Sequence, residues 1–387
     1  MVAVFRLGRK LRGAAVGLWG LAALSACDVG VVGTGPILGG GETVEVALLL
    51  PQSASAQGPA LAESFENAAR LAMADLGDTT IDLRVYDTAG NAEQAAAVTS
   101  RAIADGAQVI LGPLFADAAG AAGAVAATQG VNVLSFSNNP SVAGGGVYLL
   151  GSTFQNTADR LVSYAARSGR NDILIVHGQS AAEELGRDAI LRAIGASGAR
   201  LAGTAPFPLN QQGLISAIPA IADQVDRTAA SVVFMTSGND GAIPFLAQLL
   251  PENGVDTNEV QFIGLQRLDI PAGALQLDGL QGAWFALPDP GVAELFRSRY
   301  LGAYGVAPHP LAGLAYDGIA AIGALSAAGE GLGTAALTRS SGFAGVNGVF
   351  RFRPNGTNER GLAVAQVQDK QVVIIDPAPR SFDSFGF

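Results

Sequence analysis

The sequence is short of the residues that hold metals and disulfides: one cysteine and two histidines among 387 residues. Internal disulfides are therefore excluded, and a Cys/His zinc site has too few ligands. Charged residues make up only 14%, where soluble domains carry roughly 25%. With 49% hydrophobic residues, that excludes a disordered chain. No Gly-x-Ser-x-Gly elbow occurs, so a hydrolase of that kind lacks its nucleophile. The glycine-rich stretch at residues 329–333 has no phosphate-loop lysine after it and reads as a surface loop. An enzyme is not expected, and neither a metal nor a cofactor is.

The net charge is −10, but the chain is basic at its start. Without Arg6, Arg9, Lys10 and Arg12, Lys plus Arg falls from 23 to 19 against 33 acids, a net charge of −14. A surface that acidic repels phosphate backbones, so nucleic acid is excluded as a partner.

What the chain does have begins with an address. Residues 1–12 are basic and residues 13–24 (GAAVGLWGLAAL) are apolar, too short to span a bilayer but right for a signal-peptide core. An ordinary secretory signal with an incidental cysteine is one reading. Against it, the only cysteine, Cys27, follows Leu24-Ser25-Ala26, which resembles the lipobox of bacterial lipoproteins. That resemblance implies a signal peptide at 1–26, removed before Cys27, and lipidation of Cys27. Two or three acyl chains hold a protein stably, where one is marginal, so contact with the membrane is expected through the lipid anchor only. Asp28, next to it, implies retention at the inner membrane. Residues 27–43 are glycine-rich and aperiodic, a tether of about 15 residues reaching roughly 50 Å at most.

From residue 44 onward, strand-like and helix-like segments alternate. Residues 44–50 (VEVALLL) form an apolar run suited to a strand buried on both faces. Helical spacing follows at 59–76, a strand at 81–86, and the alternation continues to residue 135. After a Pro/Gly/Ser/Asn loop at 138–146 a second α/β set begins, with a helix at 213–224 expected to break at Pro219. Strict alternation predicts right-handed parallel β-α-β units and doubly wound sheets in two similar lobes.

Three motifs then fall in a telling order: Val46-Ala47-Leu48-Leu49-Leu50-Pro51, Tyr86-Asp87-Thr88-Ala89-Gly90, and Asp105-Gly106-Ala107-Gln108-Val109-Ile110-Leu111-Gly112-Pro113-Leu114. The chain resembles the type I periplasmic binding proteins, the Leu/Ile/Val-binding-protein superfamily, over residues 44 to about 375. The resemblance implies an α/β, two-lobed fold, each lobe a doubly wound and mostly parallel sheet, with three interlobe crossovers near Leu150, Leu287 and Gly345. Lobe one is expected at 44–149 plus 288–345, lobe two at 150–287 plus 346–376, and a C-terminal tail at 377–387. Within the superfamily the wording is similar to the lipoproteins that activate penicillin-binding proteins.

The resemblance also places a ligand cleft between the lobes at the carboxyl ends of the strands. In lobe one its candidates are Phe115 and Ala116, where the family's first carboxylate donor is a serine, and Ser137, Asn138 and Asn139 in the second donor loop. In lobe two they are Gln179, Ser180, Ser237 and Gln266. The family's acid for a ligand ammonium falls at Gln266, with Arg267 beside it, so the ammonium side of an amino-acid site reads as broken. On that alignment Gln266→Glu is expected to restore weak amino-acid affinity. His177 reads as a satisfied loop histidine, His309, between two prolines, as a rigid turn, Glu183-Glu184 as the acidic start of a helix, Tyr316 and Asp317 as packing and hydrogen bonding, and residues 351–360 as a solvated basic turn. The expected function is regulation of a peptidoglycan synthase, a penicillin-binding protein, by contact or by sensing a muropeptide. The rival is a solute-binding lipoprotein that delivers an amino acid to an ABC permease. Either places the protein in the periplasm, lipid-anchored to a bacterial membrane.

Overall fold

A computed structural model describes residues 43–382. Cys27, Asp28, the signal peptide, nearly all of the tether and the last five residues of the tail lie outside them. The first lobe opens with β1 (Val44–Leu50), α1 (Gly58–Met73), β2 (Ile81–Asp87), α2 (Ala92–Ala104), β3 (Val109–Leu111), α3 (Ala116–Ala127), β4 (Asn132–Ser135) and β5 (Val147–Leu149). Its sheet has the order β2-β1-β3-β4-β5, parallel throughout. The apolar run in β1 now has its reason, because successive side chains serve opposite faces of a central strand. Val46, Leu48 and Leu50 pack with Phe65 and Ala68 of α1, while Ala47 and Leu49 pack with Ala102 of α2 and Ala122 and Ala126 of α3.

The second lobe begins with α4 (Phe154–Arg167), β6 (Asp172–Gly178), α5 (Ala181–Gly195), β7 (Arg200–Phe207), α6 (Gln211–Thr228), β8 (Val232–Met235), α7 (Ile243–Glu252), β9 (Gln261–Gly264) and β10 (Trp284–Leu287). Its β6 divides its side chains as β1 does: Leu174 and Val176 join the core of α6 and α7, and Ile173 and Ile175 that of α4 and α5. The expected break at Pro219 does not occur, and α6 runs through it. Proline removes one N–H from the ladder, but Leu214, Ile218, Ile221, Ala222 and Val225 bury one continuous stripe that holds the helix across the gap.

The chain then returns to the first lobe with α8 (Pro290–Tyr304), α9 (Gly313–Ala327) and α10 (Thr334–Leu337), followed by β11 (Phe343–Gly345), β12 (Gly348–Phe352) and β13 (Asn358–Arg360). Finally β14 (Ala363–Gln368) and β15 (Gln371–Asp376) extend the second sheet, giving the order β15-β14-β10-β9-β8-β6-β7 with β14 and β15 antiparallel. Asp369 and Lys370 join them with positive φ at both positions, as a two-residue hairpin turn requires.

Residues 346–360, expected with lobe two, pack with lobe one instead. Phe350 and Phe352 are buried beside Phe343 and Tyr148, with ring centroids 5.5–6.0 Å apart. These rings need an apolar floor, and the first lobe's core supplies it. The third crossover therefore falls at residues 361–362. The turn ahead of it is not a solvated basic loop either. Arg351 and Arg353 both pair with Glu359, and Arg360 is buried in an ion pair with Asp317, 3.0 Å away.

Candidate functional site

The lobe-two face of the candidate site is built where β6 and β8 end side by side. The strands are neighbours in the sheet, and Thr236 N–H donates to the Val176 carbonyl at 3.1 Å. After Gly178 the chain turns through exposed Gln179 to Ser180, whose hydroxyl caps α5 by accepting from Glu183 N–H at 3.2 Å. That places Glu183 in the first turn of α5 with its side chain aimed back at the strand ends. Its Oε2 accepts three hydrogen bonds: Gly178 N–H at 2.6 Å, Thr236 Oγ1 at 2.8 Å and Ser237 Oγ at 2.7 Å. The helix can come this close because residue 186 is glycine, where a Cβ would lie 2.7 Å from a methyl of Leu265.

Gln266, at the end of β9, is half-buried and donates its amide to the Thr236 carbonyl at 3.1 Å. Arg267 is paired with Asp269 through two hydrogen bonds of 2.8 and 2.5 Å. The loop carrying them is held by Asn239, which donates to the carbonyls of Arg267, Leu268 and Ile270.

On the lobe-one face, Phe115 is exposed and immediately precedes α3, whose first residue is Ala116. The Phe115 ring closes on Gly90, which has positive φ and where a Cβ would lie 3.2 Å from the ring edge. Ser137 is buried and its hydroxyl accepts from Asn139 N–H at 3.2 Å. Asn139 in turn caps the short turn at Pro140–Val142, accepting from Ser141 N–H at 3.0 Å, while Asn138 is exposed. Asp87 accepts from the N–H groups of Ser53 and Ala89. Burial pushes its carboxyl up, but the hydrogen bonds from Ser53, Ala89 and Gln52 outweigh that and hold it below the usual range.

Sequence reasoning named Ser137, Asn139, Ser180, Ser237 and Gln266 as ligand candidates, and each makes an internal hydrogen bond here. It missed Glu183 and Thr236 as members of the site. An acid at a helix start is visible in sequence, but which strand ends it meets depends on the order β8-β6. His177 lies in β6 rather than a loop, buried with Nδ1 3.0 Å from the Gly178 carbonyl, and His309 Nδ1 accepts from Leu311 N–H. Among the described residues no group of three or more His, Cys, Asp or Glu side chains is arranged to hold a metal, and no helix is long and apolar enough to cross a membrane.

The comparisons bear on the family and the fold. The family model described as periplasmic binding protein matches residues 43–371. No curated protein matches the sequence. Among solved structures, a Rhodospirillum rubrum protein assigned as a branched-chain amino acid ABC transporter is 19% identical with a TM-score of 0.72, covering 86% of this chain and 100% of that one. A branched-chain amino acid ABC transporter ligand-binding protein from Burkholderia xenovorans is 19% identical, with a TM-score of 0.66 and coverages of 86% and 96%. A solute-binding protein from Rhodopseudomonas palustris, solved with benzoate, is 17% identical, with a TM-score of 0.56 and coverages of 87% and 98%. The chain belongs to the periplasmic binding proteins and has their type I, leucine-binding-protein-like fold.

Proposed function

We propose that this chain is a non-catalytic lipoprotein, anchored through Cys27 on the periplasmic side of the inner membrane, that regulates a penicillin-binding protein by direct contact. One observation carries the reading. Where an amino-acid binder of this family offers an acid to the ligand ammonium, this chain has the amide of Gln266 turned onto the Thr236 carbonyl. A buried ammonium without a partner is costly, so this position gives a free amino acid little to bind. The motifs at residues 46–51, 86–90 and 105–114 support the same reading through their similarity to the activator lipoproteins.

The alternative, a solute-binding lipoprotein for an ABC permease, draws support from the transporter proteins of similar fold, one of which spans its full length on this chain. Two assays on the full-length protein in detergent separate the two. The first is a thermal-shift titration with all amino acids, short peptides and muropeptides, in which a ligand at 100 times its Kd adds about 2.7 kcal/mol to stability. The second is glycan-strand synthesis by purified penicillin-binding proteins with and without this protein. Stimulated synthesis without a shift from amino acids is the expected outcome. A shift with leucine, isoleucine or valine and no stimulation overturns it in favour of the transporter.

A further inference from the structure

We infer that Glu183 is a built-in carboxylate that sets the charge selectivity of the cleft, occupying an oxyanion subsite at the ends of β6 and β8 and so excluding ligands that present a free carboxylate to lobe two. One main-chain N–H and two hydroxyls converge on a single oxygen, Oε2, at 2.6–2.8 Å. These are charge-assisted distances, and donors aimed at one point from two strands are what a bound carboxylate requires. Thr236 and Ser237 are themselves buried, 1% and 2% exposed, and Gly178 is buried beside them. No rearrangement is needed to form the subsite, because the protein's own side chain already fills it. Removing that side chain takes the acceptor from Gly178 N–H and Ser237 Oγ and leaves Thr236 Oγ1 only a long contact of 3.5 Å to the Val176 carbonyl, a state that favours any small anion able to enter.

A second carboxylate reaching these strand ends would find Thr236 and Ser237 already engaged by Glu183. Asp240 adds a further acid, with Oδ1 lying 2.8 Å from where a Cβ on Gly238 would stand. A ligand carboxylate is therefore kept from this point of lobe two. This goes beyond the proposed function, and it is tested without any partner protein.

Glu183→Ala deletes Cγ and the carboxylate, the atoms of acetate. Melting temperatures of the full-length wild type and of Glu183→Ala are measured in acetate against chloride at constant ionic strength. The expected result is a lower melting temperature for Glu183→Ala in chloride and a saturable rise of a few degrees in acetate, with no acetate-specific rise in the wild type. Adding Thr236→Val and Ser237→Ala to Glu183→Ala removes the acetate response. A variant that folds only in acetate supports the inference equally. An equal acetate response in wild type and variant, no response in a folded Glu183→Ala, or a variant unfolded in both salts overturns it. None of these results bears on stimulation of a penicillin-binding protein, so the two readings fail separately.

Discussion

Arg360 stands one residue before the third crossover and is 1% exposed, against 0% for its partner Asp317 on α9. Its guanidinium donates to Asp317 Oδ2 at 3.0 Å and twice to the Leu150 carbonyl, once through Nε at 2.9 Å, and it lies 5.0 Å over the Phe350 ring. Leu150 follows β5 at the first crossover, so this side chain ties two of the three interlobe connections to lobe one. Breaking a buried pair costs about 3–5 kcal/mol, because it strands a charge in a low dielectric. The two halves differ in what they leave behind. After Arg360→Ala the Asp317 carboxylate still accepts from Val346 N–H at 2.8 Å, Asn347 N–H at 3.3 Å and Asn347 Nδ2 at 3.0 Å. After Asp317→Ala the Arg360 cation keeps only the Leu150 carbonyl and the Phe350 ring, and the Val346 and Asn347 donors lose their acceptor. Arg360→Ala is therefore expected near 3 kcal/mol and Asp317→Ala near 5 kcal/mol, by that same range. Thermal unfolding followed by circular dichroism reads these as drops of about 6 and 10 °C, at roughly 2 °C per kcal/mol for a chain this large. The double variant Asp317→Asn/Arg360→Met, which removes both charges and leaves an amide oxygen for the Val346 and Asn347 donors, costs less than the two single losses added together. Arg360→Ala costing under about 1 kcal/mol, or the two single losses simply adding, refutes the account of the pair.

Two further outcomes follow from the same kind of geometry. Burial and the 2.5 Å hydrogen bond to Asp75 push the Tyr316 hydroxyl up to about 12, so this group's contribution to stability is complete below pH 10 and is lost as pH rises through 12. Melting temperature should fall across that window in the wild type and less in Tyr316→Phe, with the late part of the tyrosinate absorbance change smaller by one group in the variant, since burial also pushes Tyr86, Tyr148 and Tyr304 upward; the same slope in both removes Tyr316 from the account. Gln266→Glu replaces the amide that donates to the Thr236 carbonyl with an acceptor, at a cost of about 1–3 kcal/mol. Calorimetry with leucine then decides whether this position corresponds to the family's ammonium site: weak binding gained supports the alignment, and none counts against it.

Much of the fold was legible because burial leaves a mark in sequence. The run at residues 44–50 is apolar at nearly every position since β1 has a strand on each side and helices on both faces. What stayed hidden depended on contacts between residues distant in the chain. Arg351, Arg353 and Arg360 look like a basic turn until Glu359 and, across 43 residues, Asp317 are seen to neutralise it. Pro219 looks like a helix break until the buried stripe on either side of it is counted. Glu183 looks like dipole compensation until the order of β8 and β6 brings Thr236 and Ser237, 53 and 54 residues away, onto its oxygen.

The same distinction bears on how the site works. In a ligand-gated cleft the two faces keep polar groups that only the ligand satisfies, and closure follows from that shared need. Here the Ser137 hydroxyl accepts from Asn139, Asn139 holds the next turn, Ser180 caps α5, Ser237 serves Glu183 and Gln266 serves Thr236. A face whose candidate groups already answer one another gains less from a small ligand, since binding must first undo those bonds. These loops hold their shape through bonds within each lobe, so a ligand that engages Ser137, Ser237 or Gln266 must first break an existing bond.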